Sequence, residues 1–282
     1  MQQESRIAPA KLNLSLKVLG KRSDGFHEIE SLMVPLSCAD LGDHLQFEKT
    51  GEYSLHCDAV GVPTDESNLI SKAVRAFEKA TGKPCQWRVS LQKKIPHGAG
   101  LGGGSSDAAT TLLALNELDA AGFSDQELAA MGSSFGSDVA FFIYQKACMV
   151  SGRGEIVEPV DMHEIIGQKV LLLKPGFGVS TPDAYRHCMD AIEIPGVDYS
   201  PQNMPWGEIV NELEKPVFYK HRFLAEMKLW LLAQAGVNAA MMSGSGSTMM
   251  AFLSDANFAD ELITCARREL DPGLWGCNVT IA

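Results

Sequence analysis

Between Pro96 and Ala109 the sequence reads PHGAGLGGGSSDAA, with five glycines among the seven residues from Gly98 to Gly104, then two serines and a helix start. Glycines this dense let the backbone come close to a ligand. Successive N–H groups can converge on one anion, and the following helix adds its positive N-terminal end. The chemistry this points to is a cradle for a polyphosphate. Two familiar versions fail on context. Gly98-x-Gly100-x-x-Gly103 satisfies the dinucleotide fingerprint, but Pro96 interrupts the approach. The acidic residue wanted about 20 positions later to hold a ribose would be Asp119, inside a helical stretch. Gly98-x-x-x-x-Gly103 is not a P-loop either, because Gly104 stands where the phosphate-reaching lysine belongs. A plain strand-to-helix turn accounts for two or three glycines, not for five followed by paired hydroxyls.

Other side chains could do chemistry but have ordinary explanations when read singly. Lys11 and Asn13 alternate with Leu12 and Leu14, so both project from one face of a strand, which for a lone lysine is usually a solvated face. Asp138, between Gly136 and the apolar run 139–144, reads as a helix cap. Phe26-His27 follows a turn at 23–25, and Lys93-Lys94 reads as a charged strand end. Ser243-Gly-Ser-Gly-Ser247 is a second nest of backbone donors. No His, Cys, Asp or Glu cluster has transition-metal spacing, and no nucleophile elbow is present.

These residues need strands and helices to hold them. Residues 12–19 alternate as a half-buried strand, 45–57 reads as two strands with a turn at Thr50-Gly51, and 68–80 is helical up to Gly82. A strand is expected at 87–91, a helix from Ser106 to Ala121 closed by Gly122, and a capping box at Ser124 with Glu127. Beyond Lys169 the pattern gives a strand, a mainly helical 206–235, a strand at 248–253, a helix at 255–270 and a last strand at 277–281. The expectation is an α+β chain of two tightly joined domains, 1–155 and 156–282, with the active site in the cleft between them. With a net charge of -11 the chain is not a general binder of nucleic acid or anionic membrane, so any phosphate site must be local. The first residues lack a signal peptide's apolar core, and no later run reaches membrane-spanning length. A cytoplasmic protein, monomeric or weakly dimeric, is expected. The seven scattered cysteines, without C-x-x-C, read as unbridged core thiols.

Taken together, Pro9-Ala-Lys-Leu-Asn-Leu14, Asp24-Gly-Phe-His27, Ser67-Asn-Leu-Ile70, the glycine loop, Gly136-Ser-Asp-Val139, Pro175-Gly176 with Ser180-Thr-Pro182, and Ser243-Gly-Ser-Gly-Ser247 form an ordered set along the whole chain. The set resembles the superfamily of galactokinase, homoserine kinase, mevalonate kinase and phosphomevalonate kinase (the GHMP kinases). Within it, the GGG form resembles the branch whose acceptor is 4-diphosphocytidyl-2-C-methyl-D-erythritol, on the non-mevalonate route to isoprenoid precursors. The resemblance implies that Pro96, Gly98, Gly100, Gly102, Gly103, Gly104, Ser105 and Ser106 wrap ATP phosphates in an N-terminal ATP-binding domain. It implies that Asp138 is the base beside Lys11, an ammonium suited to keep a carboxylate ionised and to steady charge on the attacking oxygen. It places Asn68 and Lys93 at the adenine. It places Asn13, Phe26, His27, Thr181, Tyr185, Gly244 and Ser245 at the acceptor, with Phe26 and Tyr185 sandwiching cytosine and His27 bonding its edge. Phe26 stands where tyrosine is common, which keeps the stacking face and removes a hydroxyl. Mg²⁺ is expected to arrive with ATP, with Ser106 as its protein ligand. A sister kinase for an aliphatic alcohol would not need Phe26 and Tyr185, and an inactive nucleotide-binding module would not need Lys11 and Asp138 intact.

Overall fold

The structure is a computed structural model and describes all residues except 1 and 190. The first half of the chain runs β1 (Gln3–Pro9), β2 (Lys11–Asn13), β3 (Ser15–Lys21), β4 (His27–Pro35), β5 (Gly42–Lys49), β6 (Ser54–Cys57), α1 (Leu69–Thr81), β7 (Trp87–Gln92), α2 (Gly103–Leu118), α3 (Asp125–Ser133), α4 (Val139–Tyr144), β8 (Cys148–Gly152) and β9 (Ile156–Pro159). The second half adds β10 (Lys169–Lys174), α5 (Thr181–Arg186), β11 (Gln202–Met204), β12 (Gly207–Asn211), α6 (Glu214–Lys220), α7 (Arg222–Leu232), β13 (Val237–Met242), β14 (Met249–Leu253), α8 (Ala259–Glu269) and β15 (Trp275–Thr280). Among the described residues no helix is long and apolar enough to cross a membrane.

The chain divides into two compact units, but not at a single cut near residue 155. One unit takes residues 1–10, 41–96 and 102–146; the other takes 11–40, 97–101 and 147–282. Strands β2, β3 and β4 therefore belong with the C-terminal half, because their ladder partners are β8 and β12. Long-range pairing of this kind leaves no mark in a local pattern.

The first unit is a four-stranded sheet in the order β1-β5-β7-β6 with four helices; α2 packs on α1, α4, β1 and β5. Helix α1 shows why these residues fold locally. Ile70, Ala73, Val74 and Phe77 fall at helical spacing and are buried. Gly82 stops the helix in the left-handed region at φ 68°, its N–H donating to Glu78 O at 2.8 Å. The capping box at Ser124 and Glu127 is present. Strands β5 and β6 form where expected, yet they do not pair: β7 lies between them, antiparallel to β5 and parallel to β6. Helix α2 starts at Gly103, three residues before the expected Ser106, despite the poor helix propensity of glycine.

The second unit holds a seven-stranded sheet ordered β11-β12-β3-β4-β8-β9, with β2 also on β4, and an antiparallel sheet ordered β13-β14-β10-β15. Leu171 and Leu173 of β10 and Met249 and Ala251 of β14 form one apolar core with Phe218 of α6 and Leu224, Met227 and Leu231 of α7. Two expectations fail here. Residues 207–211 form a strand rather than the start of a helix, since Val210 and Asn211 pair with Ser15 and Leu16 of β3. The cysteines are not all core thiols: Cys85 and Cys148 are buried, and Cys38 is exposed.

A buried ion pair anchors the end of β13. Glu214 Oε2 and Lys228 Nζ lie 2.6 Å apart with both side chains 2% exposed. Glu214 Oε1 accepts from Met242 N at 2.8 Å, and Lys228 Nζ also donates to Asp198 O at 2.8 Å. Burial pushes the Glu214 carboxyl up, with Lys228 opposing. Removing one partner of such a pair leaves a carboxyl without its counter-charge. Lys228→Met is expected to cost about 3–5 kcal/mol in urea denaturation. The double variant Lys228→Met with Glu214→Leu should recover most of that loss.

Candidate active site

In the first unit the site begins at the N-terminus of α2. Its N-cap is Gly102, at φ 73°, which has no side chain to cap the helix, and the first turn holds no acidic residue. Ser106 N donates to Gly102 O at 2.9 Å, the first bond of the helix ladder. The amides of Gly103, Gly104 and Ser105 come before it and have no helical acceptor. Ser106 is fully buried, and its Oγ has no hydrogen-bond partner among the described residues. Thr111, one turn on, shows the usual alternative: its Oγ1 donates to Asp107 O at 2.8 Å. An uncapped helix end with an orphaned hydroxyl matches the needs of phosphate oxygens and their counter-cation. Among the described residues no group of three or more His, Cys, Asp or Glu side chains is placed to hold a metal.

Behind this helix end lies a cluster that local pattern did not predict. Lys93 Nζ is ion-paired with Asp43 and, at 2.8 Å, with Asp107 Oδ2. Asp43 Oδ1 accepts from Lys94 N at 2.6 Å and Ile95 N at 2.8 Å. Burial pushes the Asp107 carboxyl up to about 7, against the pull of Lys93. Burial alone would lower Lys93, but Asp107 and Asp43 outweigh it and hold the ammonium charged. Lys93 is therefore not a solvated strand-end charge, and two of its donors are committed to carboxylates. Asn68, the other residue expected at adenine, is committed as well: its Oδ1 caps α1 at Ile70 N, 2.8 Å away, and its Nδ2 donates to Pro63 O at 2.6 Å. Asp138 stands at the N-cap position of α4 but makes no side-chain capping bond, so capping does not account for its carboxylate.

Lys11 and Asn13 belong to the second unit. Both are buried on β2, and the ammonium donates to Asn13 Oδ1, as alternate strand positions require. Asn13 Nδ2 donates to Ser31 Oγ at 2.8 Å, and Ser31 donates to Ser15 O at 2.6 Å, so the amide that orients Lys11 is itself fixed. The loop 243–247 lies against this group. A Cβ on Gly244, φ 55°, would stand 3.0 Å from Asn13 Oδ1 and 3.3 Å from Lys11 Nζ. A Cβ on Gly100, φ 74°, would collide with Ser243 O. Ser243 Oγ donates to Gly100 O at 3.2 Å, and Thr181 Oγ1 meets Ser245 Oγ at 2.8 Å. Asn211 was missed by the sequence reading. Its Nδ2 donates to Met242 O and Gly244 O, both at 2.7 Å, and so fixes the loop from behind.

The aromatic residues expected at the acceptor have protein partners of their own. Tyr185 stacks on His27, with ring centroids 5.7 Å apart and planes 24° apart. Phe26 is half exposed, and its face is covered by the Arg153 guanidinium, 5.0 Å from the ring centroid. A further stacked pair, Phe177 and His221 at 5.3 Å, carried no signal in the sequence.

A family model described as the GHMP kinases N terminal domain matches residues 68–146, the stretch from the α1 cap through α4. The 4-diphosphocytidyl-2-C-methyl-D-erythritol kinase of Methylacidiphilum infernorum is 40% identical over 277 residues, covering 95% of this chain and 93% of its own. The chain belongs to the 4-diphosphocytidyl-2-C-methyl-D-erythritol kinase family. The family's enzyme in Geobacter sp. strain M21 is 37% identical, covering 92% of each chain. A crystal structure of a 4-(cytidine 5'-diphospho)-2C-methyl-D-erythritol kinase superposes with a TM-score of 0.78 at 31% identity over 99% of this chain and all of that one. The homoserine kinase of Cytophaga hutchinsonii, at 17% identity and a TM-score of 0.69, shares the fold. The α+β architecture of the GHMP kinases is that of this chain.

At Gly103 an added Cβ would come within 3.0 Å of Ile95 Cγ2 and 3.2 Å of Lys93 Nζ. Gly103→Val therefore widens the helix end as well as blocking it. It is expected to weaken binding of a non-hydrolysable ATP analogue by at least roughly tenfold, read by calorimetric titration, and unchanged affinity would move the phosphate site elsewhere.

Proposed function

We propose that this protein transfers the γ-phosphoryl group of ATP to the 2-hydroxyl of 4-diphosphocytidyl-2-C-methyl-D-erythritol, a step toward isoprenoid precursors. The observation that carries the phosphoryl chemistry is the glycine-capped, otherwise uncapped end of α2 with the buried, unpartnered Ser106 hydroxyl. The acceptor is supported by relatives of that name at 37–40% identity over most of the chain. Phosphoryl transfer depends on positioning and charge neutralisation more than on covalent chemistry, so the residues have few tasks.

The backbone of Gly98, Gly100, Gly102, Gly103 and Gly104, entered from Pro96, admits the phosphates, and the Gly103–Ser105 amides donate to their oxygens. Ser106 Oγ would hold Mg²⁺, which when bound neutralises phosphate charge. The acceptor hydroxyl gives its proton to Asp138 as its oxygen attacks the γ-phosphorus and the bond to the ADP oxygen breaks. The Lys11 ammonium, oriented by Asn13, offsets the charge growing on that oxygen. His27 and Tyr185 hold the base, with Phe26 beside them. Thr181, Gly244 and Ser245 line the acceptor's path.

A coupled ADP-release assay offering the cytidine substrate, homoserine and mevalonate side by side tests the reading. Turnover of the cytidine substrate alone is the expected result, and turnover of another alcohol in its place would overturn it. Asp138→Asn is expected to lower kcat by roughly 10²–10⁴ while ATP-analogue binding persists. A kcat close to that of the unaltered enzyme would remove Asp138 from the role. Tyr185→Ala takes away the ring that stacks on His27. The expected loss is about 1–3 kcal/mol, as a raised KM for the cytidine substrate with ATP affinity unchanged. An unaltered KM would make Tyr185 a packing residue.

A further inference from the structure

The Lys93 cluster stands beside the phosphate end of α2. Lys93 follows β7, Asp43 is the second residue of β5, and Asp107 lies in the second turn of α2. The ammonium joins all three segments through its two carboxylate partners. Asp43, fully buried, also accepts from the backbone of Lys94 and Ile95, which fixes the segment leading to Pro96. Gly103, the first residue of the helix, passes so close that a Cβ there would lie 3.2 Å from Lys93 Nζ. The helix end that lacks a capping side chain is thus held from behind by one largely covered lysine. Asp107 immediately follows Ser106, so the rotation of the turn that presents the Ser106 hydroxyl depends on where Asp107 is tied.

We propose that Lys93 is a positioning residue for the phosphate cradle and not a contact of the nucleotide base: through Asp107 and Asp43 it bolts the first turns of α2 in the orientation that aims the Gly103–Ser105 amides and the Ser106 hydroxyl. This rests on the reading that nucleotide phosphates occupy that helix end. Its consequence is specific. A base contact is felt by adenosine and ADP alike, a cradle support is felt only by a ligand with phosphates, and a purely structural support is felt by neither. Misplacing such donors by a fraction of an ångström is enough to weaken a polydentate site, because several hydrogen bonds lengthen together.

The test is calorimetric or competition binding of ADP and of adenosine to the full chain, with Lys93→Met and Asp107→Asn compared with the unaltered protein. Lys93→Met is expected to weaken ADP by roughly tenfold or more while adenosine stays within about twofold. Asp107→Asn keeps the side-chain shape and should give the same pattern with a smaller loss, so it carries the test if Lys93→Met does not fold. Equal weakening of adenosine and ADP would restore Lys93 to the base and overturn the proposal. So would unchanged ADP affinity with only a lowered Tm. Failure of the unaltered protein to bind ADP at all would instead overturn the nucleotide reading beneath it.

Discussion

On the proposed reading the rest of the site depends on one constraint: the N-terminus of α2 must stay open to an anion while the helix itself stays put. A helix start is ordinarily closed by a serine, threonine, aspartate or asparagine side chain, and in this chain Asn68 does that for α1 and Ser124 for α3. α2 begins instead on Gly102, in a left-handed conformation that glycine adopts without strain, and leaves its first amides to a ligand. Stability given up at the cap has to come from elsewhere. It comes from the buried length of the helix, with Ala108, Ala109, Leu112, Ala114 and Leu115 all inaccessible, and from Lys93, Asp43 and Asp107 behind its first turns.

The second unit meets a matching demand with different means. Lys11 carries a charge into a buried position, where an ammonium without partners would be very costly. Asn13 accepts from it, Ser31 holds Asn13, and Gly244 comes close enough that no side chain would fit between them. Each hydrogen bond removes a rotamer choice from the next residue along, and the result is a lysine whose head has little freedom. Gly100 and Gly244 are both at positive φ and both closely approached by other backbone or side-chain atoms, so their requirement for glycine has two independent physical causes.

Much of this was legible in the sequence where the cause was local. The glycine density at 98–104, the helix stop at Gly82, the capping box at Ser124 and the shared face of Lys11 and Asn13 follow from residue type and short spacing. What could not be read was set by partners far along the chain. Asp43 and Lys93 are 50 positions apart, and nothing near Asp43 marks it as a counter-ion. Asp107 lay inside the glycine motif, yet a carboxylate in a helix's second turn suggests a solvated face until its burial is seen. The covering of Phe26 by Arg153 could not be read for the same reason, since Arg153 reaches that ring from the turn after β8. The strand at 207–211 was hidden because β3, nearly 200 residues earlier, supplies its ladder.

A chain of net charge -11 that handles a polyanion must keep its own carboxylates from repelling the ligand. The geometry shows how that is arranged locally. Near the open end of α2 the two buried carboxylates share a lysine, and Asp43 is also turned onto backbone amides, so the negative charge closest to the helix end is already engaged. The first turn itself contains only glycine and serine. At the other end of α2 Glu117, one residue before its C-terminus, is ion-paired with Arg6, and Glu127 is held in the cap of α3. The field an incoming phosphate meets is therefore fixed by the helix dipole and the unsatisfied amides rather than by the net charge of the molecule. An acidic protein can hold phosphates because screening makes distant charges count little, while a few oriented dipoles at contact distance count for much.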